Sequence, residues 1–176
     1  MGRVGVLPFD PDSDGVRRAD WWLLRDSAVH QIESPDLLDD TIRVLRDLGY
    51  SVRDLDAAAW TPTTLHDDLA VAFDFPDWYG RNLDALNDLL RDVALRDLGV
   101  DPAATGTVLV LRGFASFSGR HPREGQILLD LWASQSRTAL VVGHPMILLL
   151  GAPESVWFDK IGGSPVLHFR GLPTIE

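Results

Sequence analysis

Residues 65–90 read LHDDLAVAFDFPDWYGRNLDALNDLL, and their spacing predicts two helices joined by a tight connection. Thr61 and Pro62 form a capping and first-turn pair just upstream, so the first helix is expected to begin there. The connection FPDWYG contains the proline and glycine that are typical of a turn. Asn82 can cap the second helix, which is predicted to run to about Leu98.

The second of these helices places two carboxylates together on the side opposite its apolar stripe. At about 100° per residue, the apolar side chains fall within an arc of about 120°. They are Leu83, Leu86, Leu89, Leu90 and Val93. Asp84 and Asp88 lie nearly opposite the centre of that arc and are expected to project into solvent. Asp77, Trp78 and Tyr79 precede them in the connection and add a third carboxylate and two large rings.

An acidic outer face also has a simpler interpretation, because charges solvate surface helices and acids near a helix N-terminus favour the dipole. Two observations favour a binding surface instead. Like charges four residues apart are mildly destabilising, and no lysine lies on that face to relieve them, although Arg81 and Arg91 could. Exposed aromatic rings beside paired carboxylates also have the composition of a binding hot spot.

The overall composition indicates a globular protein with a strongly acidic surface. Of its 176 residues, 45% are hydrophobic and 24% are charged, which favours one domain with an elaboration. The 16 basic and 26 acidic side chains give a formal net charge of −10. Such a surface repels nucleic acids and anionic membranes and attracts basic proteins. A basic protein is therefore the predicted partner, with no direct binding of nucleic acid or membrane.

Several other classes are excluded or disfavoured by the sequence. It contains no cysteine, so a disulfide framework and thiolate chemistry are excluded. The first eleven residues lack the charged and apolar regions of a signal peptide. The most apolar run, residues 139–151, is shorter than the roughly 20 residues that span a bilayer. We therefore expect a soluble, cytoplasmic protein.

No motif for catalysis or cofactor binding is found, neither a Walker A pattern nor G-x-G-x-x-G, G-x-S-x-G or H-E-x-x-H. His66 and Asp67 could be the doublet of a metal-dependent phosphohydrolase, but no other histidine-rich segment supports a metal site. Asp84, Asp88 and Asp92 lie at successive turns of one helix, so they drift around it and cannot converge on one ion. No enzymatic activity, cofactor or metal is predicted, and a metal-dependent hydrolase is the least favoured alternative.

Elsewhere strands alternate with helices, which predicts an α/β architecture with at least part of its sheet parallel. Strands are expected at residues 21–24, 29–32, 50–55, 107–112 and 165–169. The apolar run at residues 139–150 is interpreted as a buried strand, or as a strand pair broken at residues 144–145. Further helices are expected from Ser34 and Pro35 to Gly49 and over residues 122–137. The first twenty residues are interpreted as an irregular or mobile leader.

Residues 65–90 resemble the signature of the barstar family, in which a leucine-rich helix leads through a P-[DE]-aromatic-aromatic-G loop into N-L-D-A-L and a further aspartate. The resemblance covers about residues 51–151. Residues 1–50 and 152–176 are then an N-terminal and a C-terminal extension, the latter packed on the same domain. The resemblance implies a barstar-like layered fold, in which helices pack on a small, mostly parallel, three-stranded sheet. The extensions are expected to extend the sheet or to build a further contact surface.

The resemblance implies a non-enzymatic inhibitor, or immunity protein, that occludes the active site of a basic ribonuclease. Asp88 matches the family aspartate that sits where a substrate phosphate would sit, and Asp84 matches a second carboxylate that engages basic residues of the nuclease. Trp78 takes the place of a loop aromatic, and Asn82 is retained. A cognate secreted ribonuclease or toxin is the implied partner. Alternatively, the same surface binds a non-ribonuclease toxin or a regulatory partner.

The sequence departs from the family pattern at three places. Asn87 stands where the best-known member has a tryptophan, and Arg91 stands where a small polar residue is expected. Residues 132–134 lack the acidic residue that the family places on the helix before its last strand. These differences bear on the identity of the partner more than on the mode of binding. The predicted partner-binding residues are Asp77, Trp78, Tyr79, Asn82, Asp84, Asn87, Asp88 and Arg91.

Overall fold

One sheet of five strands forms the centre of residues 18–171, the part of the chain that the computed structural model describes. In chain order the strands are β1 (Val29–Ile32), β2 (Ser51–Asp56), β3 (Thr107–Arg112), β4 (Met146–Gly151) and β5 (Leu167–His168). They lie in the order β2-β3-β4-β1-β5, and every pair of neighbours is parallel. The predicted α/β class is confirmed, and the sheet is wholly parallel where a mostly parallel one was expected.

Helices cover both faces of this sheet. They are α1 (Ala19–Leu24), α2 (Pro35–Asp47), α3 (Pro62–Ala72), α4 (Leu83–Leu95), α5 (Phe114–Arg120) and α6 (Pro122–Val141). Because alternate residues of a strand point to opposite faces, β3 contributes to two separate cores. Val108 and Val110 pack with α1 and α2, whereas Leu109 and Leu111 pack with α3 to α6. The helix with the two candidate aspartates, α4, therefore lies in the larger helical layer.

The capping residues predicted from the sequence begin three of these helices. Ser34 accepts a hydrogen bond from a backbone N–H of α2. Thr61 and Thr64 form a reciprocal capping box at the start of α3. Asn82 accepts a hydrogen bond at 2.9 Å from a backbone N–H of α4. Each cap satisfies an N–H that the first turn leaves unpaired, which is why these boundaries could be predicted.

One predicted strand is wrong, and another begins later than expected. Residues 21–24 are helical and belong to α1, where Ala19, Asp20 and Leu23 are buried at helical spacing. In the apolar run at residues 139–150, the first three residues continue α6, and only residues 146 onward form β4. Val141 at the end of α6 is 87% exposed, so its apolar character did not indicate burial in a strand.

Other elements also differ from the predictions. α4 ends at Leu95 because Arg96 adopts a left-handed conformation with φ of 69°. β5 is shorter than the strand expected at residues 165–169, and α5 was not predicted. The irregular leader expected over the first twenty residues falls mainly on residues 1–17, which lie outside the described residues.

Segments on both sides of residues 51–151 join the same sheet. β1 pairs with β4, and β5 pairs with β1, so the three strands implied by the resemblance become five. The Gln31 amide in β1 donates hydrogen bonds to the carbonyls of Pro153 and Val156, which tie the segment after β4 to the sheet. Asp20 in α1 is fully buried and accepts hydrogen bonds from Arg18 at 2.7 Å and from Tyr50 at 3.0 Å.

Candidate functional site

The connection between α3 and α4 is held in place by contacts with α3. Arg81 has a φ of 46°, which is uncommon for a residue with a side chain. Its guanidinium donates a hydrogen bond to Asp67 of α3 at 2.8 Å, and this ion pair secures the turn just before α4. Arg81 is thus paired with α3, and in this position it forms no ion pair with the aspartates of α4 that would reduce their mutual repulsion.

Tyr79 is the second anchor of this connection. Its hydroxyl lies 2.5 Å from His66 Nδ1, and its ring packs edge-on against Phe75. Only 6% of Tyr79 is exposed, so the expectation that both loop rings lie at the surface is wrong for this residue. Burial raises the pKa of Tyr79 to about 12 and lowers the pKa of His66, so the contact joins two neutral groups at neutral pH.

The ring of Trp78, by contrast, is 74% exposed. Because Tyr79 beside it is fixed in the core, the backbone that carries Trp78 is also positioned. A large exposed ring on a positioned backbone loses little conformational entropy when it is buried by a partner. Two adjacent aromatic residues in this connection therefore differ: Tyr79 anchors the loop, and Trp78 faces solvent, where its predicted contact with a partner stays a prediction.

Three carboxylates flank this ring in the sequence, one before it and two after it. Asp77, Asp84 and Asp88 are exposed, as predicted for the last two from the helical wheel. Within residues 18–171 none of the three forms an ion pair or hydrogen bond through its carboxylate. The opposite side of α4 is buried through Leu86, Leu89, Leu90, Val93 and Ala94. Packing and the Asn82 cap therefore fix the helix while its acidic side stays available for cations.

Asn87 and Arg91, the two departures from the family pattern on α4, lie in different surroundings. Asn87 is half-buried, and its side-chain oxygen accepts a hydrogen bond at 2.9 Å from Gln135 of α6. This contact ties α4 to α6, and it could not be found from the sequence because the two residues are far apart in the chain. Arg91 is exposed on the same side of the helix as the aspartates. The expected contacts of both residues with a partner stay predictions.

The His66-Asp67 doublet has a structural role in this fold. His66 points inward to Tyr79, whereas Asp67 points outward to Arg81. No group of three or more potential metal-binding side chains occurs in residues 18–171. In the same residues no helix is both long and apolar enough to cross a bilayer.

Comparison with known proteins gives two results. The family model described as Barstar (barnase inhibitor) matches residues 50–151, which is more than half of the chain. A protein of Bacillus subtilis (strain 168) named "Putative ribonuclease inhibitor YrdF" is 73% identical over 26 residues. That match covers 15% of this chain and 29% of the length of the relative. The sequence identity to YrdF is therefore high, but it is confined to a short segment of both chains.

Proposed function

The chain belongs to the barstar family, and we propose that it is a non-enzymatic inhibitor that occludes the active site of a basic ribonuclease. The proposal is supported above all by the two exposed carboxylates of Asp84 and Asp88, which lie on one side of a capped, packed helix and have no partner among the described residues. The exposed ring of Trp78 lies in the connection that leads into this helix.

The chemistry of RNA cleavage explains why such a surface fits a ribonuclease. A ribonuclease gathers arginine, lysine and histidine side chains around a phosphate group. Carboxylates form strong, charge-assisted hydrogen bonds with these cations. In our proposal Asp88 takes the position of the phosphate, and Asp84 engages neighbouring cations. Since α4 is ordered before binding, little conformational entropy is lost when these bonds form.

The biological role that we propose is immunity. A cell that secretes a ribonuclease needs an inhibitor in its own cytoplasm, and an acidic protein of this family suits that task. The eight partner-binding residues predicted from the sequence remain our proposal for the interface, with Tyr79 acting by positioning the loop. Asn87 and the segments outside residues 51–151 leave a second candidate, a non-ribonuclease toxin or a regulatory partner bound by the same surface.

Inhibition of RNA hydrolysis tests the proposed function. We expect the chain to inhibit barnase, or a basic ribonuclease captured on it from the culture medium of its source, at a one-to-one ratio. The chain itself should hydrolyse no RNA with or without divalent metal. The variant with both Asp84→Ala and Asp88→Ala is the matched control and should fail to inhibit. Capture of a protein without ribonuclease activity would favour the toxin alternative, and metal-stimulated hydrolysis lost in Asp84→Asn would overturn the proposal.

The salt dependence of association gives a second prediction. With a net charge of −10 the chain should attract a basic partner over long range. The Debye length shortens from about 30 Å at 0.01 M salt to about 8 Å at 0.15 M, so this attraction is screened. We expect the association rate to fall by about tenfold or more over that range, and the dissociation rate to change by less than about threefold.

Stopped-flow measurements of the two rates check this expectation. Barnase and barstar are themselves the standard example of electrostatic steering, so the direction of the effect follows from family membership. An association rate that does not change with salt would show that the acidic surface does not guide the encounter.

A further inference from the structure

Arg91 adds one positive charge to the acidic side of α4. At about 100° per residue, Asp84, Asp88 and Arg91 fall within an arc of about 60°. Along the helix axis they are separated by about 6 Å and about 4.5 Å. The exposed side of α4 therefore presents two negative charges followed by one positive charge, rather than a uniformly acidic surface.

The side chain of Arg91 differs from those of its neighbouring arginines in having no partner among residues 18–171. Four arginines lie between residues 50 and 100. Arg53 donates to the carbonyls of Ala72 and Gly99, Arg81 donates to Asp67, and Arg96 donates to the carbonyl of Pro102. Arg91 makes no hydrogen bond or ion pair within residues 18–171.

An aspartate and an arginine on another helix show that the spacing of Asp88 and Arg91 is suitable for an ion pair. Asp40 and Arg43 on α2 lie three residues apart and form an ion pair at 2.8 Å. Asp88 and Arg91 have the same order and spacing on α4, yet they form no ion pair. Both charges of the α4 pair therefore remain available to groups outside the chain.

We propose that the ribonuclease bound by this surface presents a carboxylate to Arg91, beside the cations that meet Asp84 and Asp88. This inference rests on the proposed function. A buried arginine without a partner charge is costly, so an interface that buries Arg91 is more stable with an acidic group opposite it. General acid–base catalysis uses carboxylates, so an acidic side chain close to the phosphate site is compatible with a ribonuclease.

Arg91 then acts as a specificity-determining residue. A nuclease with a basic surface throughout would be repelled at this position, whereas one with a carboxylate there would gain a charge-assisted bond. The neutral amides of Asn87 and Gln135, one turn before Arg91 and on the adjoining α6, do not compensate its charge. Discrimination among basic ribonucleases would therefore depend on the group that faces Arg91.

Removing Arg91 should change the dissociation constant in opposite directions, depending on whether the nuclease presents a carboxylate or a basic surface to it. The probe is the basic ribonuclease that is captured from the culture medium and inhibited by the chain. If it presents a carboxylate, Arg91→Ala should raise the dissociation constant by about tenfold and Arg91→Glu by about a hundredfold or more. If its surface is uniformly basic, both variants should bind more tightly than the unchanged protein, and that result would overturn the inference.

Arg43 provides the matched control, since it is an exposed arginine in the layer on the other face of the sheet. Arg43→Glu makes the same change in net charge as Arg91→Glu and should alter the dissociation constant by less than about threefold. Equal effects of the two reversals would mean that only net charge matters, which also overturns the inference. Because Arg91 is exposed and unbonded, its variants should fold normally.

Measuring Asp88→Ala in parallel separates this inference from the proposed function. Unchanged binding of Asp88→Ala would contradict the active-site occlusion itself. Weaker binding of Asp88→Ala together with tighter binding of Arg91→Ala would contradict the inference alone. Replacing the facing carboxylate of the nuclease with lysine should restore binding to Arg91→Glu, and a double-mutant cycle would then give the coupling between the two groups.

Discussion

Asp88→Ala is expected to weaken binding of the ribonuclease by at least about 2 kcal/mol while leaving the folded protein intact. The loss should be large because several cations of the partner would be desolvated without a counter-charge. The free energy of unfolding should stay level or rise slightly, since repulsion with Asp84 is relieved and Asp88 makes no hydrogen bond or ion pair with residues 18–171. Barnase and barstar are the reference pair for strong effects of this kind, so the direction follows from family membership. Titration calorimetry and urea denaturation measure the two quantities.

Two further variants show whether position or net charge decides the result. Asp84→Ala should also weaken binding, and the double variant should lose less than the sum of the two, because both carboxylates meet one cluster of cations. Asp36→Ala removes an equal charge from an exposed position on α2 and should leave the affinity unchanged. Similar small losses at all three positions would mean that a general acidic surface, rather than an occluding pair, binds the partner.

Elements whose boundaries are set by local chemistry could be predicted from the sequence. The caps at Ser34, Thr61 and Asn82 act on backbone groups within three residues, and each begins a helix as expected. The exposed aspartates of α4 were also predictable, because one helical period fixes both the buried and the exposed side.

Short apolar segments could not be assigned in this way. Residues 21–24 and 139–142 are apolar over so few positions that periodicity does not distinguish a strand from a helix. The position of β1 between β4 and β5 could not be predicted from the sequence either, since it depends on pairing between distant segments. The resemblance implied three strands because it covered only the part of the chain that contains β2, β3 and β4.

In the candidate site, the features that could not be predicted are the tertiary contacts of the residues. A connection has no periodicity, so the sequence could not show that Tyr79 faces His66 while Trp78 faces solvent. Nor could it show that Arg81 is engaged by Asp67 and Arg91 by no residue of the described part of the chain. The sequence shows that a charged side chain is present, but only the folded structure shows whether that charge already has a partner.

Asp20→Ala should lower the free energy of unfolding by about 3 kcal/mol, because it breaks a buried ion pair with Arg18 and the hydrogen bond that joins α1 to Tyr50, just before β2. The Asp20 carboxylate is fully buried and accepts bonds from Arg18 and Tyr50, so its removal leaves a guanidinium and a hydroxyl without their partner. Asp26→Ala is the matched control: it removes an exposed ion pair with Arg25 and should cost less than about 0.5 kcal/mol. Asp20→Asn retains hydrogen bonding and should fall between the two. Urea denaturation measures all three variants, and equal effects of Asp20→Ala and Asp26→Ala would show that the buried contacts of Asp20 do not stabilise the fold. The affinity for the ribonuclease should not change, since α1 and α4 pack on opposite faces of the sheet.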